Sequence, residues 1–157
     1  MLVNRKEYFY EVDLAWKSER AGTLSSLGFP DIEVVTPPEF IKGEKNKWTP
    51  EHLLAGAVSS CLMTTFLAIA EVFQLNIIDY KCHCFIKLEK KQGKLEASEI
   101  LLRPTIKLVS DQDLPKAIQL IEKADQSCPI KNSLRLPVAV HPMFDFLNKG
   151  EKVKNNL

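Results

Sequence analysis

Residues 49–74 read TPEHLLAGAVSSCLMTTFLAIAEVFQ, and this stretch decides how the rest of the chain can fold. Thr49 followed by Pro50 predicts a helix start, because threonine can cap free backbone amides and proline is tolerated at the first helical position. No charged residue occurs within 53–70, and apolar side chains lie on nearly every side of the helix. Small and hydroxyl residues interrupt the run and a glutamate brackets it at each end. The pattern therefore favours a buried central helix over a membrane span.

A helix that is apolar all round needs cover on every side. A single subunit of 157 residues can hardly enclose it alone. We therefore expect a second copy of the chain to cover part of its surface, which predicts a homodimer.

Alternating patterns before the helix predict strands, so the chain is expected to fold as an α+β protein. From Tyr8 to Trp16, apolar and polar residues alternate, which indicates a half-buried strand. Residues 6–36 as a whole are typical of an antiparallel meander, and the polar stretch 39–47 after it is typical of a functional or mobile surface loop.

The region after the helix continues the α+β pattern. A β-hairpin is expected over about 77–109, where Pro104 suggests an edge or a bulge. A second helix is expected over about 113–128 and a final strand over about 134–141, before a tail at 148–157 that is polar enough to fray. The apolar stripe of the second helix has one polar exception, Asp125, among Leu114, Ile118, Ile121 and Cys128. The prediction is one domain over 1–157.

Composition and charge exclude several classes of protein. Apolar residues make up 45% of the chain and charged residues 26%, as in an ordinary soluble globular protein. The net charge of +1 argues against a nucleic-acid groove or an anionic membrane surface. The first ten residues contain no apolar signal segment, so a cytoplasmic location is expected and stable disulfides are not.

Four cysteines are the residues with the most reactive chemistry. Cys82 and Cys84 share one face of a predicted strand with apolar residues, which favours core packing over metal ligation, and no metal site is predicted. Cys61 lies within the first helix and Cys128 at the end of the second. Each alone is more typical of a small core residue than of a reactive thiol, but together they offer two thiols that a redox couple could use.

The run from Thr49 to Cys61, together with the later sequence Cys128-Pro129-Ile130-Lys131-Asn132-Ser133, resembles the two-cysteine signature of the OsmC/Ohr family, the osmotically inducible and organic-hydroperoxide-resistance proteins. The order of elements over most of the chain fits as well. The resemblance implies an intertwined homodimer with an OsmC-like fold, in which antiparallel sheets pack around two buried central helices. It also implies a thiol-dependent peroxidase that acts on organic hydroperoxides.

The same resemblance implies a role for four residues of this chain. Cys61 would be the peroxidatic cysteine and Cys128 the resolving cysteine, with Arg20 and Glu51 as their supporting pair. A free thiol is mostly protonated at neutral pH, so a cation beside Cys61 is needed to favour the thiolate, and Glu51 could orient the Arg20 guanidinium. Glu51 and Cys61 lie about 15 Å apart along one helix, so either the long Arg20 side chain bridges much of that gap or Arg20 and Glu51 reach the Cys61 of a partner subunit, and we favour the second arrangement.

An apolar substrate is expected, because three apolar side chains near Cys61 offer a wall for an alkyl or fatty-acyl peroxide. They are Leu54, Met63 and Phe66. No cofactor is expected besides an external thiol reductant, for which the resemblance suggests a lipoyl dithiol. The alternative is a protein of the same fold that binds a small apolar ligand or acts as a redox regulator without peroxidase turnover.

Overall fold

The computed structural model describes residues 7–147 and shows a mixed α+β fold, as predicted. The chain divides into two compact units, one ending at Leu53 and one beginning at Leu54. The boundary falls near the start of the first helix. That residues 1–157 form a single domain stays a prediction.

The first unit contains a three-stranded antiparallel sheet in the order β1-β2-β3. Its strands are β1 (Asp13–Ser18), β2 (Ala21–Ser25) and β3 (Ile32–Val35). The meander is therefore present, but its first strand begins several residues later than the alternating pattern suggests. All six side chains of β1 are exposed. The predicted half-buried strand is wrong for the isolated chain, because three short strands supply no second layer to cover β1.

The polar loop that follows β3 folds back on itself. The Glu44 amide donates a hydrogen bond of 3.1 Å to the Thr36 carbonyl. Gly43 approaches the backbone of Pro37 so closely that a Cβ atom at this position would lie 1.9 Å from the Pro37 carbonyl oxygen. Lys47 forms ion pairs within the same unit, one of them with Glu44 at 2.7 Å. The loop is thus a packed turn that leads into the first helix.

The first helix, α1 (Pro50–Val72), begins where the sequence predicts. The Thr49 hydroxyl accepts a hydrogen bond of 3.4 Å from the His52 amide, as expected of a capping threonine. One stripe of α1 is buried, at Val58, Leu62, Phe66 and Ala70.

The rest of the α1 surface is exposed or half-buried, which agrees with the expectation that one subunit cannot enclose this helix, and cover by a second copy stays a prediction. Among residues 7–147, α1 is long and apolar enough to cross a membrane, with a mean hydropathy of 1.9 in its most apolar window. Because its buried stripe forms part of the hydrophobic core, α1 is a core helix.

The second unit is built on a long antiparallel hairpin of β4 (Ile77–Lys91) and β5 (Lys94–Leu108). Two short strands, β6 (Val138–Val140) and β7 (Met143–Phe146), pair parallel to β5. The predicted antiparallel hairpin is therefore present, and the two short parallel strands make this sheet a mixed one. The single final strand expected at 134–141 is instead a pair of shorter strands, because Pro137 and Pro142 interrupt the pairing.

Pro104 lies on the central strand of this sheet, opposite Cys82 on β4, so the predicted edge or bulge is wrong. The Ile100 amide and the Leu102 carbonyl both point toward the β6 side, where they bond the Pro137 carbonyl and the His141 amide. By the alternation of a strand, the Pro104 nitrogen points the same way, into the gap between the β6 and β7 pairings. The missing N–H of proline therefore removes no bond of the β4–β5 ladder.

A short 3₁₀ turn (Asp111–Asp113) leads into α2 (Leu114–Ser127), which is followed at once by the single-turn helix α3 (Pro129–Asn132). The buried face of α2 comprises Ala117, Leu120, Ile121 and Ala124. The predicted stripe is partly wrong, since Ile118 is 39% exposed. Two of these four residues are alanines, which let α2 pack closely, while Leu120 and Ile121 fill the core. These side chains form one hydrophobic cluster with the α1 stripe and the inner face of β5. The predicted frayed tail at 148–157 lies outside the described residues.

Candidate functional site

Cys61 lies in the middle of α1, next to the buried Leu62. Its own side chain is half-buried, because it sits beside the stripe that faces the core and not within it. The thiol is therefore held in an apolar environment but is still accessible from outside the isolated chain. Such a position suits a thiol that must meet a substrate.

Cys128 occupies the corner between α2 and α3 and is fully buried. Its backbone is extended, with φ −70° and ψ 108°, because the residue before a proline is driven away from helical geometry. The chain turns there, and the backbone N–H groups of Ile130 and Lys131 lie close enough to the Cys128 sulfur to lower its pKa, although the Cys128 side chain forms no capping hydrogen bond. These two N–H groups were not predicted, although a cysteine before a proline at a helix start is a signal that could have indicated them.

The structure brings the two thiols together within the second unit, because the side chains of Cys61 and Cys128 lie close enough for Cys61 to raise the pKa of Cys128. Burial and, after it, the neighbouring Cys61 thiol raise the pKa of Cys128 to about 11, while the backbone N–H groups of Lys131 and Ile130 act in the opposite direction. At neutral pH, Cys128 is thus a protonated thiol in direct contact with a more accessible one.

Arg20 and Glu51 belong to the first unit, and the structure does not pair them. Arg20 is exposed in the turn between β1 and β2, and its side chain forms no hydrogen bond or ion pair with any residue in 7–147. Glu51 lies in the first turn of α1, where its Oε2 atom is buried and has no hydrogen-bond partner among the described residues. A buried carboxylate oxygen without a donor is costly, so this atom calls for a cation or an N–H group.

The three residues predicted to line a substrate wall have different environments. Leu54 and Met63 are half-buried on α1. Phe66 is fully buried in the core, where its ring lies 5.9 Å from the ring of Tyr80. A contact with substrate at any of the three stays a prediction.

Cys82 and Cys84 lie on the inner face of β4 and pack against the hydrophobic core, as predicted. Burial raises the pKa of Cys82, and it raises that of Cys84 to about 11. Within the described part of the chain, no group of three or more His, Cys, Asp or Glu side chains is arranged to hold a metal ion.

A cavity of about 1050 Å³ lies in the first unit, and no cysteine is among its lining residues. Its wall is mainly apolar and is formed by the segment before β1, the turn between β2 and β3, and Leu53. Several of these apolar residues are strongly exposed, including Phe9, Tyr10, Leu27 and Phe29. The cavity is thus an open apolar surface and not an enclosed site.

An α+β fold whose helices bring a half-buried thiol into contact with a fully buried one defines a dithiol protein. The model of the OsmC-like protein family matches residues 43–142, a range that includes Glu51, Cys61 and Cys128 but not Arg20. The chain therefore belongs to the OsmC-like family.

Individual relatives are distant. The uncharacterized protein YmaD of Bacillus subtilis (strain 168) is 24% identical over 134 residues, which cover 82% of this chain and 88% of YmaD. An OsmC-like protein of unknown function from Vibrio cholerae O1 superposes with a TM-score of 0.79 at 23% identity, covering 87% of this chain and all of the relative. An organic hydroperoxide resistance protein from Elizabethkingia anophelis superposes with a TM-score of 0.69 at 21% identity, covering 90% of this chain and all of the relative. At these identities the similarity shows the fold.

Proposed function

We propose that this protein reduces organic hydroperoxides with thiols, through a sulfenic acid at Cys61 and a Cys61–Cys128 disulfide. The observation that carries the proposal is the contact between the two thiols, one half-buried and one fully buried. The family includes organic hydroperoxide resistance proteins, such as that of Elizabethkingia anophelis, which supports the choice of substrate class.

The different burial of the two cysteines assigns their roles. Cys61 is the accessible thiol, so its thiolate attacks the distal peroxide oxygen. The O–O bond breaks, the alcohol leaves with one proton, and Cys61 becomes a sulfenic acid. Cys128 is closed to solvent and protonated at neutral pH, so it does not compete for peroxide. It then attacks the Cys61 sulfur, forming the disulfide and releasing water, and an external dithiol returns both cysteines to thiols.

The Cys61 thiolate needs a cation, and Arg20 is the proposed source. The unpartnered Oε2 atom of Glu51 supports a role for Glu51 as the carboxylate that holds this guanidinium. In the proposed active state, Arg20 and Glu51 reach the Cys61 of a second subunit, so the complete site requires a homodimer.

The dimer is supported by apolar surface that the isolated chain leaves exposed. Only one stripe of α1 is buried. In the first unit, aromatic side chains before and within β1 are 71–92% exposed at Tyr8, Tyr10 and Trp16. Exposed apolar side chains in each of the two units indicate an interaction site, and a second copy of this chain would cover them.

The proposed substrate is an organic hydroperoxide with an apolar tail rather than hydrogen peroxide, and Leu54 and Met63, which are half-buried on the same helix as Cys61, are proposed to contact this tail. The proposed reductant is an external dithiol such as a lipoyl group, and no metal or organic cofactor takes part. A cytoplasmic location fits this chemistry, because the cycle requires a reducing compartment.

Peroxide consumption with purified protein tests the proposal. With cumene hydroperoxide and excess dihydrolipoamide, the wild type should turn over, C61S should lose activity at least a hundredfold, and C128S should form the Cys61 sulfenic acid without the disulfide. C82S is the matched control, since Cys82 is a half-buried thiol outside the pair, and it should keep wild-type activity.

If the wild type turns over no organic hydroperoxide, the proposed peroxidase activity is wrong. If the protein then bound the hydroperoxide or its alcohol reversibly, the ligand-binding function would replace it.

A further inference from the structure

The Asp125–Lys131 ion pair, whose two residues flank Cys128 in the sequence, has no role in the proposed reaction. Asp125 interrupts the apolar pattern of α2, and the structure pairs its carboxylate with the Lys131 ammonium of α3. The two side chains are only 26% and 20% exposed. By comparison, the ion pair between Asp79 and Lys81 on β4 is 47% and 80% exposed. The Asp125–Lys131 pair is thus shielded from solvent, which strengthens it and makes the loss of either partner costly.

The pair spans the corner at which Cys128 lies. A four-residue helix such as α3 cannot hold its shape by its own backbone bonds, so contacts with α2 must keep it in place. The Asn132 side chain donates a bond of 2.8 Å to the Gln126 carbonyl, at an exposed position. Within residues 7–147, the Asp125–Lys131 pair is the second side-chain link between α2 and α3.

The corner matters to the chemistry because α3 carries the donors that face the Cys128 sulfur. The backbone N–H groups of Ile130 and Lys131 lie close enough to this sulfur to lower the pKa of Cys128, and Lys131 is also the residue that holds Asp125. Cys128 must lose its proton before it can attack, and negative charge then develops on its sulfur. Two fixed N–H donors stabilise that charge without reorganisation, provided that α3 stays in position.

We propose that the Asp125–Lys131 ion pair is a positioning element for the resolving cysteine, which holds the α3 amides on the Cys128 sulfur and so sets the rate of disulfide formation. The inference rests on the proposed function. The step it controls is the attack of the Cys128 sulfur on the Cys61 sulfenic acid. In this step the S–S bond forms, the S–O bond breaks, and the Cys128 proton leaves with the hydroxide as water.

The two steps of the cycle are measured separately in a quenched single turnover with one equivalent of cumene hydroperoxide. Sulfenic acid at Cys61 is trapped with dimedone, and the disulfide is counted by mass spectrometry. D125N and K131Q should form the disulfide about tenfold more slowly than the wild type, while Cys61 is oxidised at a rate within about twofold of the wild type. The amide geometry matters only for the second step.

Two further variants separate positioning from general stability. K131R keeps the charge and should restore most of the rate of disulfide formation, as should the exchanged pair D125K/K131D. D79N removes the acidic partner of the exposed pair on β4 and should leave both rates unchanged. Normal disulfide rates in D125N and K131Q, or an equal loss in D79N, would overturn the inference.

A second oxidant distinguishes this inference from the proposed function. Diamide first forms an adduct with Cys61, and Cys128 then displaces the hydrazine product to give the same disulfide, so no peroxide chemistry is needed. If the wild type fails with cumene hydroperoxide but D125N still slows the diamide reaction, the peroxidase is wrong and the positioning role stands. If D125N closes the disulfide with diamide at the wild-type rate, the positioning role is wrong.

Discussion

At the residue scale, the thiols of Cys128 and Cys84 are both protonated at neutral pH but differ in how far solvent can reach them. Cys128 is fully buried and its pKa is raised to about 11, mainly because burial penalises the thiolate. Cys84 has its pKa raised to about 11 as well, but its side chain is only half-buried. The two cysteines therefore share a protonation state and differ in access.

Alkylation by iodoacetamide, followed for each cysteine by peptide mass spectrometry, should reveal this difference. Only about one Cys128 in a thousand is a thiolate at pH 8 when the pKa is about 11, so its rate should rise about tenfold per pH unit and level off near pH 11. Cys84 should show the same slope at a higher absolute rate, because it is more accessible. A Cys128 rate that levels off below pH 9 would contradict the predicted environment.

At the element scale, the start of α1 determines where the longest helix of the described chain lies. Thr49 is only 1% exposed, and its hydroxyl contacts both the His52 amide at 3.4 Å and the His52 Nδ1 atom at 2.8 Å. Pro50 follows at the first helical position, where its missing N–H costs nothing. The cap is local in sequence, which is why the helix start was predictable.

Removing the cap should destabilise the fold without touching the cysteines. We expect T49A to lower the free energy of unfolding by about 1–2 kcal/mol, because the His52 amide loses its acceptor. T49S keeps the hydroxyl and should lose less than half as much. Urea unfolding followed by circular dichroism measures both, and equal losses in the two variants would show that the threonine methyl group, not the hydroxyl, is responsible.

At the scale of the whole molecule, the apolar surface of α1 is the feature that a single chain leaves unexplained. The buried stripe takes one side of the helix, and the opposite side carries small residues that are exposed, among them Ala57, Ser60, Thr64 and Ala68. Small residues allow close approach of another backbone, which fits a helix that a second subunit covers.

A charge on this side of α1 should therefore dissociate the proposed dimer. T64E places a carboxylate in the middle of the exposed side, where a partner subunit would bury it without a counter-ion, at a cost of several kcal/mol. Q119E adds the same charge at an exposed position on α2 and should leave the dimer intact. Sedimentation velocity measures the outcome. A wild type that is monomeric at micromolar concentration, or a T64E variant that stays dimeric, would contradict the proposal.

The sequence by itself determined the features that depend on neighbours along the chain. The cap at Thr49, the apolar character of α1, the long hairpin and the helix end before Pro129 all follow from local periodicity and from the backbone preferences of a few residue types. The pairing of Cys61 with Cys128 was indicated only by a resemblance, since no local pattern links two positions so far apart.

The tertiary structure alone decided what depends on distant parts of the chain. It placed Pro104 on a central strand, because two short partner strands leave a gap beside its nitrogen. It paired Asp125 with Lys131, and it left most of α1 uncovered in the isolated chain. Propensity and periodicity act within a few residues, whereas strand order, ion pairing and the contact of two thiols are set by packing between elements that the sequence does not place side by side.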